Sequence, residues 1–255
     1  MSIASEWVLT AAHCLFFEGE ESLPSAVVVG REDFTIDDQG NYNVPEDGER
    51  VEVADVEIYP FFDLDRYNTW DGFIMDDEGT TELPPRSLGY ADIALIKLAS
   101  PVQSVTDFAI LPTSYRVPVG ATSTVFGWGL LAEDGPFADQ LNFVNLPIVS
   151  NFTCSRAFGA PGLITFDLIC AGPEEGGQDA CGGDSGGPLV VVSEGRPEVV
   201  GIVNTGRGCA RPGLYGVYTR VFPFIRWIDS VIEGEDTAAR TEFSVEELSR
   251  TFSTR

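Results

Sequence analysis

A single histidine, His13, lies within residues 10–14, TAAHC, and is the one imidazole of the 255-residue chain. An imidazole exchanges protons near neutral pH, so it can serve as a general base and then as a general acid. A lone histidine is more often a surface or core residue than a catalytic one. Its significance therefore depends on the chemistry that the rest of the sequence offers.

One serine is enclosed by glycines in residues 181–189, CGGDSGGPL. Glycines at these places suit a tight turn in which backbone N–H groups point inward. Acyl transfer to a serine needs such donors, because negative charge develops on the carbonyl oxygen of the substrate. The alternative is an ordinary glycine-rich turn, but the central Asp184-Ser185 pair favours a nucleophile at Ser185.

An acidic residue, Asp92, begins the apolar segment 92–96, DIALI. Burying a carboxylate is costly unless it has a partner. The N–H of an imidazole is a suitable partner, because the carboxylate fixes the tautomer and stabilises the imidazolium that forms during the reaction. If the segment stood alone, an Asp exposed at a strand edge would be the favoured interpretation.

Together, these three segments resemble the trypsin/chymotrypsin family of serine peptidases, in which His, Asp and Ser follow one another in this order. Residues 127–129 (GWG), 169–172 (ICAG) and 216–221 (GVYTRV) are also similar to that family. A serine hydrolase with a Gly-x-Ser-x-Gly elbow would instead carry its Ser before the Asp and the His. The resemblance covers about residues 2–232.

The fold that the resemblance implies is all-β, with two packed antiparallel six-stranded β-barrels and the active site in the cleft between them. The N-terminal barrel would occupy residues 1–112 and lack its first strands. The C-terminal barrel with a short helix would occupy residues 113–232. A polar tail, residues 233–255, is expected to be disordered, although residues 244–247 resemble a helix-capping box.

The resemblance also implies the role of each catalytic residue. Ser185 would be the nucleophile, His13 the general base and acid, and Asp92 the residue that orients His13. The backbone N–H groups of Gly183 and Ser185 would form the oxyanion hole. We therefore expect peptide-bond hydrolysis through an acyl-enzyme intermediate.

A specificity pocket follows from the same resemblance. Asp179, six positions before Ser185, corresponds to the acid at the base of the pocket in trypsin-like members, and Gly206 and Gly216 correspond to its two small walls. A carboxylate there favours Arg or Lys before the cleaved bond. Ala180 has no hydroxyl group to help solvate an ammonium, which favours Arg.

The segment expected to pair with the substrate backbone departs from the family. It reads Asn204-Thr205-Gly206, where the family usually has Ser-Trp-Gly, so Thr205 removes a large apolar wall. Tyr215 stands where many members have Pro, and Tyr at this place permits a monovalent-cation site in some of them.

The start of the sequence is the largest departure. Family members are activated when cleavage frees an N-terminus that pairs with the acid before the nucleophile, here Asp184. The sequence begins at Met1, already in the strand that leads to His13, so we expect Asp184 to lack its cation. Two explanations stay open: the sequence is a piece of a longer secreted precursor, which we favour, or the protein is an inactive homologue that acts as a binding or regulatory module.

The five cysteines indicate an oxidising compartment if they are paired. Cys154 and Cys170 flank a short loop, Cys181 and Cys209 bracket a glycine-rich region, and Cys14 is left over. We expect the disulfides Cys154–Cys170 and Cys181–Cys209. Together with the family, they predict a secreted protein, although the first residues do not look like a signal peptide. The sequon at Asn151 is compatible with glycosylation.

The charge is strongly acidic, with 40 acidic against 15 basic side chains and a formal net charge of −25. Such a surface repels phosphate backbones and argues against nucleic-acid binding. No apolar run is long enough for a membrane span. The expected partners are protein or peptide substrates with Arg or Lys at the cleavage site, and protease inhibitors. We expect a monomer.

Two acidic stretches complete the sequence-based expectations. Residues 61–89 lengthen the interval between His13 and Asp92, and we interpret them as an acidic surface loop whose aromatic residues dock on the body. They would narrow the cleft and favour basic or extended substrates, or else be an inert insertion. Residues 33–49 lie where some relatives hold calcium, but their spacing fits no specific loop pattern. No cofactor is therefore expected, with calcium at this stretch as the alternative that stays open.

Overall fold

The structure of the protein is a computed structural model, and it describes residues 1–33, 35–36, 42–43, 48–75 and 91–234. Its β-strands, in chain order, are β1 (Ser2–Ala4), β2 (Trp7–Thr10), β3 (Phe16–Phe17), β4 (Glu20–Glu21), β5 (Ala26–Val29), β6 (Thr35–Ile36), β7 (Tyr42–Asn43), β8 (Glu49–Ile58), β9 (Ala94–Leu98), β10 (Thr122–Gly127), β11 (Asn142–Val149), β12 (Leu168–Ala171), β13 (Pro188–Ser193), β14 (Arg196–Thr205) and β15 (Gly216–Arg220). The α-helices are α1 (Leu64–Met75), α2 (Asn151–Ala157) and α3 (Ile225–Ile232). The fold is therefore predominantly β, as the sequence predicts.

The C-terminal half forms a closed barrel of six antiparallel strands in the order β10-β11-β12-β15-β14-β13. Its core holds apolar side chains from every part of the barrel wall, among them Val125, Leu146, Ile169, Leu189 and Tyr218. The predicted hairpin of apolar strands is present as β13 and β14, which pair from Pro188↔Ile202 to Ser193↔Arg196.

The N-terminal half forms a five-stranded sheet in the order β1-β2-β9-β8-β5. The strand β8 alternates apolar and charged residues, as expected for a strand with one buried face, and its Val51 is almost fully buried. Strand β2 pairs with β9 from Trp7↔Lys97 to Thr10↔Ala94. This pairing is important for the active site because one catalytic candidate follows β2 and another precedes β9.

A shared apolar core joins the two halves. Trp7, Leu9 and Leu95 of the N-terminal sheet pack in one cluster with Ile202 of the barrel and Ile228 of α3. The cleft between the halves is consequently bordered by elements that cannot separate without exposing this core.

Helix α1 is the main difference from the sequence-based interpretation, which took residues 61–89 as a loop. Tyr67, Trp70 and Ile74 are buried on one face of this helix. They pack against Phe158 and Val217 of the C-terminal half, among other residues. The docking of aromatic residues was thus expected correctly, but these residues dock as a helix because their spacing places them on one face. Residues 76–90 lie outside the described part of the chain.

The expected disulfides are both present. Cys154–Cys170 ties α2 to β12, and Cys181–Cys209 joins the segment before the serine loop to the segment after β14. Cys14 is a free thiol. Within the described ranges, none of the helices combines the length and the apolar character that crossing a membrane requires.

Candidate active site

His13 and Asp92 meet because β2 and β9 are neighbours. His13 lies in a 3₁₀ turn, Ala12–Leu15, directly after β2, and Asp92 lies just before β9. The Oδ2 atom of Asp92 is 2.7 Å from Nδ1 of His13, and Oδ1 accepts a hydrogen bond of 2.8 Å from the backbone N–H of His13. The carboxylate is thus held to both the ring and the backbone of one residue.

The environment of this pair stabilises positive charge on the imidazole. The Asp92 side chain is fully buried, whereas the His13 side chain keeps 18% of its surface exposed. Burial lowers the pKa of His13, but the charge of Asp92 and its hydrogen bond to the ring act in the other direction and prevail, so the pKa lies well above its usual value. The imidazolium that forms when His13 accepts a proton is therefore stabilised.

The backbone of Asp92 is held by a buried polar chain that the sequence analysis did not foresee. The hydroxyl of Thr219, on β15, donates to the carbonyl oxygen of Asp92 over 2.9 Å. The side-chain amide of Asn204 donates in turn to the Thr219 hydroxyl over 3.0 Å. The C-terminal barrel thereby fixes a residue of the N-terminal sheet. Asn204, expected to contact substrate, lines the cleft and also belongs to this chain.

The loop that carries Ser185 leaves two backbone donors without an acceptor in the described part of the molecule. The N–H groups of Asp184, Gly186 and Gly187 donate to the carbonyls of Cys181, Val203 and Asp184, whereas those of Gly183 and Ser185 donate to none. Gly183 has a φ of +93° and Gly186 one of +78°, conformations that favour glycine. The two unused donors are the pair that the sequence assigns to the oxyanion hole.

Gly186 also allows the serine loop to approach the histidine segment. A Cβ atom at this position would overlap with the hydroxyl of Thr10 and lie 3.4 Å from Sγ of Cys14. Ser185 and His13 line the same cavity. In the described residues, Nε2 of His13 has Sγ of Cys14 at 3.5 Å as its polar contact and makes no hydrogen bond to Ser185. Catalytic hydrogen bonds are often long before substrate binds.

Asp184, which the sequence analysis expected to lack its cation, is held by two backbone N–H groups. Its Oδ1 accepts from the backbone N–H of Gly129 over 2.8 Å, and its Oδ2 accepts from that of Cys181 over 2.9 Å. A Cβ atom on Gly127 would overlap with this carboxylate. The GWG segment, residues 127–129, therefore provides a cradle for the acid that precedes Ser185.

Asp179 lies at the end of the cleft where a specificity pocket is expected. Its carboxylate accepts hydrogen bonds from the backbone N–H groups of Ala180, at 2.9 Å, and Ala210, at 3.1 Å. A Cβ atom on Gly216 would lie 2.8 Å from Oδ1, so only glycine leaves this space open. Burial raises the pKa of Asp179 to about 7, despite the two backbone hydrogen bonds.

Tyr218 is a pocket residue that the sequence analysis missed, since it was noted only as part of a family motif. Its hydroxyl is buried and has no hydrogen-bond partner among the described residues. The charge of Asp179 adds to the effect of burial in raising the pKa of this hydroxyl. The hydroxyl also lies 2.9 Å from the Cβ position of Gly216. A polar ligand group that reached Asp179 would therefore find an unsatisfied hydroxyl beside it.

A single cavity of about 590 Å³ connects these groups. His13 and Ser185 lie on its wall together with Asp179, Ala180, Asn204, Thr205, Gly206 and Gly216. The N-terminal side of the cavity is formed largely by α1, whose Tyr67 stacks on the ring of His13 with centroids 5.2 Å apart and planes 6° from parallel. The arrangement holds a base, a hydroxyl and a buried acid in one cleft, and the loop that carries the hydroxyl has two unused N–H donors.

Four sequence-based expectations concern residues away from this cleft. The Asn151 side-chain amide donates to the carbonyls of Thr165 and Leu168, at 2.6 and 3.1 Å, so it is engaged in the fold. Most of the stretch 33–49, considered for calcium, lies outside the described residues, as does the tail beyond residue 234. Tyr215 is buried in the apolar cluster against which α1 packs.

Comparisons with known proteins agree with the geometry. The family model described as Trypsin matches residues 1–228. The chain is 35% identical over 232 residues to Serine protease 56 of Homo sapiens, covering 89% of this chain but 33% of that protein. It is 33% identical over 227 residues to Trypsin-1 of Astacus astacus, covering 87% of this chain and 82% of that protein. Trypsin I-P1 of Gallus gallus is also 33% identical, over 90% of this chain and 77% of its own. The chain thus spans about a third of the length of Serine protease 56.

Proposed function

The chain belongs to the trypsin family, and from that membership we propose that it is a serine endopeptidase that cleaves peptide bonds after Arg, and less readily after Lys. The observation that carries this proposal is the joint presence of the 2.7 Å His13–Asp92 contact and the buried acid Asp179 in one cavity. The first supplies the chemistry, and the second supplies the preference for a cationic side chain.

The reaction follows from the positions of these groups. His13 Nε2 takes the proton of the Ser185 hydroxyl while Oγ forms a bond to the carbonyl carbon of the substrate. The oxyanion accepts from the N–H groups of Gly183 and Ser185. Nε2 then gives its proton to the leaving amine, which departs and leaves an acyl-enzyme. A water molecule repeats the sequence, releases the carboxylic acid and restores Ser185.

The family and the disulfides favour a secreted protease, and Cys154–Cys170 and Cys181–Cys209 both suit an oxidising compartment. Its partners in this proposal are protein or peptide substrates and protease inhibitors that occupy the same cleft, and it acts as a monomer. The acidic surface would draw cationic segments toward the cleft.

A second candidate is a non-catalytic homologue that uses the cleft for binding. The contact of His13 Nε2 with Cys14 Sγ favours it, because this contact occupies the atom that should accept the Ser185 proton. The two candidates differ in one measurable property, the nucleophilicity of Ser185.

A fluorophosphonate probe tests that property directly. We expect it to label the protein at Ser185, since only an activated hydroxyl reacts with such a probe at an appreciable rate. The variant Ser185→Ala should not be labelled, whereas Ser193→Ala, an exposed serine at the end of β13, should be labelled like the wild type. Absence of label on folded wild-type protein would favour the non-catalytic homologue.

Binding of benzamidine, a small amidinium, should depend on pH through Asp179. Burial raises the pKa of this carboxyl to about 7, with a further contribution from the charge of Asp184. The acid is therefore neutral below pH 7 and ionised above it, and only the ionised form attracts a cation. We expect Kd to be constant above about pH 8 and to rise up to about tenfold for each pH unit below 7.

Isothermal titration calorimetry between pH 5.5 and pH 8.5 measures how the Kd of benzamidine depends on pH. The variant Asp179→Ser is the control, and it should bind benzamidine weakly without the same pH dependence. A wild-type Kd that stays flat across this interval would contradict the assignment of Asp179 to the cation site.

A further inference from the structure

Helix α1 brings a second carboxylate, Asp71, into the cleft. The helix is anchored by the buried side chains of Tyr67, Trp70 and Ile74, and its last turn is tied to the segment after β14, because Nε of Arg207 donates to the carbonyl of Ile74 over 2.7 Å. Asp71 therefore occupies a defined place on the cavity wall that also contains Ser185 and Asp179.

The carboxylate of Asp71 forms no ion pair with a residue in the described part of the chain. Its hydrogen-bond partner there is the neutral hydroxyl of Thr205, at 2.5 Å from Oδ1. Burial raises the pKa of Asp71, while the Thr205 hydroxyl and the nearby His13 act against that increase. A half-buried acid with a neutral partner can gain a charge-assisted hydrogen bond from a ligand cation.

The position of Asp71 relative to the catalytic residues defines which part of a substrate it can meet. Tyr67 and Asp71 are four residues apart and so share one face of α1. Because Tyr67 stacks on His13, that face borders the histidine side of the cleft. Asp179 belongs to the barrel half of the cavity wall, where it lies against Gly216.

An extended substrate places successive side chains on opposite sides. If one basic side chain enters the pocket of Asp179, the side chain immediately before it points toward His13 and α1. Thr205, which binds Asp71, is adjacent to Gly206, a wall of that pocket. In this arrangement the two acids would meet the side chains of two consecutive substrate residues.

We propose that Asp71 binds a second basic side chain, on the residue immediately before the one held by Asp179, so that this protease selects paired basic residues. The proposal rests on the proposed function, since it assigns the substrate class of the same cleft. Helix α1 would then contribute to substrate selectivity. The contact of the substrate with Asp71 would also replace the contact with the large apolar wall that is missing at Thr205.

Two matched fluorogenic peptides test the proposal, one with Lys-Arg and one with Ala-Arg before the cleaved bond. We expect the ratio of their kcat/KM values to be about tenfold or more in the wild type, as for a hydrogen bond to a charged group. In Asp71→Asn the ratio should fall to within about twofold of one, while Asp71→Glu, which keeps the charge, should retain a preference for Lys-Arg.

The control is Asp65→Asn, which removes the same charge from an exposed position on the same helix. It should keep the wild-type ratio, so that a change in net charge alone cannot explain the result. Circular dichroism on thermal unfolding shows whether each variant folds with the stability of the wild type. An unchanged ratio in folded Asp71→Asn, or a wild-type ratio near one, overturns the proposal.

Binding of the uncleaved peptides to Ser185→Ala separates this inference from the proposed function. We expect tighter binding of the Lys-Arg peptide, and loss of the difference in the double variant with Asp71→Asn. If the wild type cleaves neither peptide, the proposed protease activity fails, and the binding comparison still decides for or against Asp71. Equal binding of both peptides would count against Asp71 whatever the activity.

Discussion

Asp92→Asn should lower kcat for an Arg-containing peptide by about 10⁴-fold, as the same change does in other Ser-His-Asp triads. Oδ1 of the wild-type residue accepts the backbone N–H of His13, and an amide oxygen can keep this bond. The amide NH₂ then replaces Oδ2 beside Nδ1 of the ring. It donates to Nδ1 and forces the proton onto Nε2, where it prevents His13 from accepting the proton of Ser185.

The pH profile distinguishes this cause from general damage to the site. The charge of Asp92 contributes to the raised pKa of His13, so its removal should lower that pKa and move the acidic limb of kcat/KM to lower pH. Asp55→Asn, at an exposed position on β8, is the control and should leave both kcat and the profile unchanged. Activity of Asp92→Asn within tenfold of the wild type would exclude Asp92 as the residue that orients His13.

Asp179→Ser should lower kcat/KM for Arg-containing peptides by about 10²- to 10⁴-fold, the cost of removing one partner from a buried charge pair. The serine leaves the pocket open but offers no charge to a guanidinium. Because two backbone N–H groups converge on this position, the pocket stays polar and should not gain strong activity toward large apolar residues. The preference among cleaved residues should therefore flatten rather than change to a new class.

Profiling with a peptide library that varies the residue before the cleaved bond measures this change. Asp139→Ser, which alters an exposed acid outside the cavity, is the control and should preserve the Arg preference. Wild-type cleavage after Phe or Leu in preference to Arg would contradict the role given to Asp179, as would an unaltered profile in Asp179→Ser.

The strands and the site motifs are predictable from sequence for physical reasons. The alternation in β8 and the apolar runs of β13 and β14 reflect which faces are buried, and the structure contains all three. The turn at Ser185 needs glycines for its backbone conformation, and the acid Asp92 needs a partner such as His13 if it is buried. Such requirements remain visible without knowledge of the tertiary structure.

Helix α1 was not predictable in the same way. Residues 64–75 include Asn68, Thr69 and Gly72, which are weak helix formers, and the segment lies in a stretch rich in acids. The spacing of Tyr67, Trp70 and Ile74 was the available signal, because three, four and seven residues separate side chains on one helical face. What decides the helix is the apolar surface of the opposite half, which a local pattern does not reveal.

The donors to the Asp184 carboxylate and to the Asp92 carbonyl were also beyond local inference. Asp184 is held by the N–H of Gly129, and the Asp92 carbonyl is held by Thr219, more than 100 residues away in sequence for the second pair. Such contacts depend on how the sheet and the barrel are apposed. The sequence motifs alone do not reveal these partners, because the contacts form only in the complete fold.

The position of α1 has a consequence for how the protein folds. The helix belongs to the N-terminal half of the sequence, yet its buried face completes a core around Phe158, Leu168 and Val217 of the other half. That core can form only after a large part of the chain has been brought together, and contacts of long sequence separation slow folding. We therefore expect one slow, cooperative refolding transition, in which the cleft and the apolar cores of both halves form together.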